Sequence, residues 1–109
     1  MLAALCNQQL DLTFILDSGD TVGPDNWATL LSFVSSFTDR FNLGPNAVRI
    51  ALVRYAATQS STNAVVFNLN AYTDRTSLKN AIVSQPFTGM TWTDFIYALD
   101  AARTQVLCQ

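Results

Sequence analysis

The chain has 109 residues, of which 50% are hydrophobic and 13% charged, with a formal net charge of -2. It contains no histidine, and all eight acidic residues are aspartate. This excludes Ser-His-Asp and Cys-His catalysis and imidazole metal sites. Six scattered basic residues leave no footprint for nucleic acid and no polybasic membrane patch.

In chain order, Met1–Leu5 lacks the basic region and the apolar length of a signal peptide. Cys6 follows, and Cys108 stands near the other end. Two thiols cannot build a tetrahedral zinc site, so the alternatives are free thiols or a disulfide. Leu12–Leu16 is an apolar run ending at Asp17, which predicts a buried strand. Gly23-Pro24-Asp25 opens a helix whose apolar positions are Trp27, Leu30, Leu31, Val34, Phe37 and Phe41, ended by Gly44-Pro45. Val48–Tyr55 is a second strand, and Val65, Phe67 and Leu69 mark a third. The second and third are joined too closely for a crossover helix, so they pair antiparallel. A helix from Asp74 to Ser84 turns Leu78, Ala81 and Ile82 inward, with Pro86 stopping it. The last helix begins in Thr91–Asp94, runs to Leu107 and buries Ile96, Leu99, Ala102 and Val106. No apolar run approaches the length of about 20 residues needed to cross a bilayer.

The expected fold is therefore α/β: a Rossmann-like open sheet with helices on both faces, mostly parallel with one antiparallel edge strand, from three strands and three helices. In such sheets ligands bind beyond the carboxyl ends of the strands. That directs attention to Asp17-Ser18-Gly19-Asp20-Thr21. Carboxylate and hydroxyl oxygens there suit Mg²⁺ or Mn²⁺. The same residue types also make an ordinary turn before a helix.

The ordered set of motifs resembles a von Willebrand factor type A domain. It comprises the first strand running into Asp17–Thr21, the amphipathic helix with an early aromatic, and Val-Arg-Ile-Ala-Leu-Val-Arg-Tyr at 48–55. Phe67–Thr73 and Gly89-Met90-Thr91-Trp92-Thr93-Asp94 before Ala98-Leu99 complete it. The resemblance divides the chain into a flank, 1–10, containing Cys6, and a partial domain, 11–109. It implies a metal-ion-dependent adhesion site (MIDAS) with Asp17 and Thr21 as ligands and a threonine supplied by Thr91 or Thr93, the helix register favouring Thr93. Gly19 stands where the family carries a serine ligand, and no Asp-Gly pair after a later strand follows. Binding of Mg²⁺ or Mn²⁺ is accordingly expected to be weak or absent.

The resemblance further implies a non-catalytic, secreted adhesion module whose partner is an extracellular matrix or cell-surface protein, collagen-like or a receptor, with no membrane insertion. Trp92, in the top loop, is either a partner contact or a packing aromatic. Cys6 and Cys108 fall at the same end of such a fold, which makes a disulfide between them reasonable. Without the family's later strands, Leu12–Leu16 lies at an exposed sheet edge, so the chain alone is expected to be marginally stable or aggregation-prone. The alternatives are an inactive structural fragment and an aspartate-nucleophile phosphatase of haloacid dehalogenase type. The latter's Asp-x-Asp-x-Thr signature matches Asp17 and Thr21 but fails at Gly19.

Overall fold

A computed structural model of the chain describes residues 8–55, 64–91 and 95–107. Three strands, β1 (Leu10–Asp17), β2 (Val48–Tyr55) and β3 (Val65–Phe67), form one sheet in that order. β1 pairs parallel with β2 from Leu10↔Val48 to Asp17↔Tyr55, and β3 pairs antiparallel with β2. The mixed sheet expected from the sequence is thus present, with β1 at one edge and β3 at the other.

Side chains alternate across a strand, and each face of β2 meets a different helix layer. On one face, Val48, Ile50 and Leu52 join Leu16 and pack against Trp27, Leu31 and Val34 of α1 (Pro24–Phe37). Leu78 and Ile82 of α2 (Arg75–Val83) complete this core. On the other face, Ala51 and Val53 meet Ala98 and Ala101 of α3 (Ile96–Ala101), together with Ala102 and Val106 of its π-helical continuation, Ala102–Leu107.

α1 starts at Gly23, whose φ of 80° suits glycine, followed by Pro24, whose missing N–H costs nothing in the first turn. It ends at Phe37 and tightens into a 3-10 turn, Thr38–Arg40, so Phe41 is extended rather than helical. The Arg75 guanidinium donates to the carbonyls of Thr38 and Phe41, at 2.5 and 2.6 Å. These contacts satisfy acceptors that a helix end leaves open. α2 lies within the expected Asp74–Ser84 bounds; Asp74 is its N-cap and accepts the Ser77 N–H at 2.9 Å.

Two further expectations need correction. β3 ends at Phe67; the ladder is irregular beside Leu52/Val53, and Leu69 is buried from the following turn rather than from the strand. In α3, Ile96 and Leu99 are exposed (62% and 49%), while Ala98 and Ala101 are buried. Ala98 and Ala101 share a buried cluster with Ala51, a contact made of small side chains, and the larger side chains turn outward. Among the described residues, no helix is long and apolar enough to cross a membrane.

Candidate functional site

β1 delivers Asp17 to the carboxyl end of the sheet, where it pairs in register with Tyr55. Oδ1 of Asp17 accepts the Gly19 N–H at 2.8 Å, which folds the chain sharply after the strand. Burial, then the Asp17 charge and a hydrogen bond to it, push the Tyr55 phenol above its ordinary range. The chain turns again where Val22 N–H donates to Gly19 O at 3.1 Å, and α1 begins.

Ser18 is fully buried, with its hydroxyl turned into the protein. Its Oγ donates to Tyr55 O at 2.9 Å and lies 2.6 Å from Thr88 Oγ1, which in turn reaches Ser18 O at 2.9 Å. Ser18 therefore supplies structure rather than an open oxygen ligand.

A second segment, leaving α2, is pinned beside this loop. Gln85 O accepts the Trp27 indole N–H at 3.0 Å, and Pro86 O accepts from Arg54 at 3.2 Å. Gly89, at φ 63°, then allows a bend at which a Cβ would press on the Phe87 ring at 3.0 Å. The two segments are joined by Gly89 N–H to Ser18 O and Asp20 N–H to Met90 O, both 3.0 Å, with a parallel bridge between Gly19 and Met90. Asp17, Thr21 and Thr91 thus belong to two adjoining loops at one end of the sheet, with Asp20, Thr21, Met90 and Thr91 exposed. Trp92, Thr93, Cys6 and Cys108 lie outside the described residues.

These donors are right in kind for Mg²⁺ or Mn²⁺ but few in number. Small hard dications want six oxygens, with one or two carboxylates and several waters. Asp17 already accepts from Gly19 and bears on Tyr55, Ser18 faces inward, and Gly19 has no side-chain oxygen. Among the described residues no three His, Cys, Asp or Glu side chains cluster. Among the described residues the set falls short of the six oxygens of a tightly held dication.

Tyr55, Thr88 and the structural role of Ser18 were not visible in the sequence as parts of this site. The available signal was a hydroxyl residue immediately before Gly89 in a loop already suspected of binding. A cavity of about 130 Å³ lies at the opposite end of the sheet, between Asp11, Arg49, Asn70, Val106 and Leu107. Its polar groups satisfy one another: Arg49 donates to both Asp11 oxygens at 2.7 Å and to Asn70 at 2.9 Å. That pairing holds the Asp11 carboxyl below its usual range and, among the described residues, engages the cavity's cation, Arg49.

An open mixed sheet flanked by helices on both faces, with its candidate ligands in loops at the carboxyl ends of the strands, is the architecture of an α/β binding domain. The sequence profile of the von Willebrand factor type A domain matches residues 11–109, and the chain belongs to that family. Human matrilin-3 is 42% identical over 81 residues, covering 73% of this chain and 16% of that protein. Chicken matrilin-3 is 35% identical over 104 residues, covering 94% and 22%. The mouse collagen alpha-5(VI) chain is 33% identical over 97 residues, covering 84% and 4%. The chain therefore spans a small fraction of the curated relatives it matches. Among solved structures, proximal thread matrix protein 1 from the mussel byssus, with a zinc-occupied MIDAS motif, superposes at a TM-score of 0.85 with 24% identity. That match covers 98% of this chain and 27% of the other.

Proposed function

We propose that this chain is a non-catalytic, extracellular interaction module that binds a matrix or cell-surface protein, collagen-like or a receptor, through the loops at the carboxyl end of its sheet. The observation carrying the proposal is the joining of the Asp17–Thr21 loop to the 88–91 segment, which presents Asp20, Thr21, Met90 and Thr91 on one exposed surface. The kinship with matrilin-3 and a collagen VI chain supports the choice of partner class. Asp17, Thr21 and Thr91 or Thr93 are the candidate ligands of a degenerate MIDAS that binds Mg²⁺ or Mn²⁺ weakly or not at all, and Trp92 is the proposed partner contact.

Surface-binding assays against a panel of collagens and other matrix proteins test this. Binding is expected to fall at least about tenfold in Asp20→Lys and Thr91→Arg, the loss of one good contact region. It should change little when EDTA replaces Mn²⁺. Full binding by both variants sinks the site, and abolition by EDTA sinks the weak-metal part.

The proposal includes a Cys6–Cys108 disulfide. Leu107, one residue before Cys108, lines the same cavity as Asp11 of β1, five residues after Cys6. Closing so long a loop stabilises by up to about 4.7 kcal/mol in the chain-entropy model. Non-reducing peptide mapping of secreted material should return the linked pair; free thiols would refute it.

A further inference from the structure

We propose that Ser18 and Thr88 form a two-hydroxyl clasp that makes the Asp17–Thr21 loop and the 88–91 segment a single unit, held or released together. The inference deepens the reading of this end of the sheet as the binding surface and rests on it. The two residues are positioning residues: they touch each other and the backbone, while exposed neighbours on either side form the surface.

The geometry assigns the role by a proton count. Among the described residues, three oxygen contacts meet at the clasp: Ser18 Oγ to Tyr55 O at 2.9 Å, Ser18 Oγ to Thr88 Oγ1 at 2.6 Å, and Thr88 Oγ1 to Ser18 O at 2.9 Å. Two hydroxyls carry two protons, so at any instant at most two of these three contacts are hydrogen bonds. Whichever pair forms, both carbonyls keep a backbone donor. Ser18 N–H reaches Tyr55 O at 3.2 Å, and Gly89 N–H reaches Ser18 O at 3.0 Å.

Removing one hydroxyl therefore strands no buried carbonyl, and the remaining hydroxyl still has a carbonyl to donate to. Removing the Thr88 hydroxyl loses both of these side-chain links between segments 70 residues apart, whereas removing that of Ser18 leaves the Thr88 bond to the carbonyl. The backbone links beside it, Asp20 N–H to Met90 O and Gly89 N–H to Ser18 O, are then the first to open. The sheet beneath them is not touched, because β2 is held on both sides by its own ladders.

Amide hydrogen exchange on the 109-residue chain, without partner or added metal, tests this. In Thr88→Val, which keeps the shape and removes the hydroxyl, the Asp20 and Gly89 amides should exchange about fivefold faster. The amides of Ile50–Val53 in β2 should keep their rates. Thr88→Ser should restore protection, and Ser18→Ala, in which Thr88 still donates to the carbonyl of residue 18, should exchange faster than the parent but slower than Thr88→Val. Unchanged rates at Asp20 and Gly89, equal acceleration throughout β2, or failure of Thr88→Ser to rescue would each overturn the clasp. If Asp20→Lys and Thr91→Arg bind partners normally while the exchange pattern holds, the binding surface fails and the clasp stands. The reverse result removes the clasp alone.

Discussion

The two faces of the sheet are built on opposite packing principles. One is a core of large side chains, with Trp27, Leu31, Val34, Leu78 and Ile82 filling the space above Val48, Ile50 and Leu52. The other is a close contact of small ones, with Ala98, Ala101 and Ala102 laid against Ala51 and Val53. The first face buries large side chains and the second mostly small ones, so an emptied site threatens the first and overpacking the second. The same substitution chemistry should therefore act in opposite directions on the two. Losing volume should hurt the first face, and adding volume should hurt the second.

The largest effect is expected at Trp27. It is almost fully buried, and its indole N–H is anchored to Gln85 O. Trp27→Ala should destabilise by about 3–5 kcal/mol, the usual range for emptying a large aromatic site. Since small domains are stable by only about 5–15 kcal/mol, urea titration should show a midpoint much reduced or lost. A change below about 1 kcal/mol would mean that this face is not packed as described. The variant also releases the anchor on Gln85, so the 86–91 segment should loosen with the core.

This asymmetry also decides what could be read from the sequence. β2 was legible residue for residue, because a nearly continuous apolar run of eight marks a strand buried on both faces. α2 was legible through Leu78, Ala81 and Ile82 and the stop at Pro86, and α1 through large apolar side chains at helical spacing. The last helix was legible to its end at Leu107 and in the burial of Ala102 and Val106, but not in the inward face of α3, because periodicity weighted by large hydrophobes follows Ile96 and Leu99, and alanine gives a weak signal of burial. At the site, Asp17 was legible as a carboxylate ending an apolar strand. Ser18 and Thr88 were not paired, since a contact spanning 70 residues leaves no local pattern in either segment. The Gly19–Met90 bridge was hidden for the same reason.

A smaller pair of effects separates the two sides of α3 itself. Ala98 is fully buried, whereas Leu99, its neighbour in sequence, is half exposed. Ala98→Leu adds volume where the helix meets the sheet and should cost about 1–3 kcal/mol through displaced backbone and strained rotamers. Leu99→Ser, on the outer side, should change monomer stability by no more than about 0.5 kcal/mol. Urea midpoints for the two variants read the difference directly, and a stable Ala98→Leu protein with a crippled Leu99→Ser one would invert the assignment of faces. Leu99 also lies in a stretch where Phe95, Ile96 and Tyr97 are exposed, an apolar surface that favours association. Leu99→Ser should accordingly reduce concentration-dependent self-association in sizing experiments while leaving the fold intact. The side chain misleading to the eye in the sequence is then the one whose loss the folded monomer tolerates.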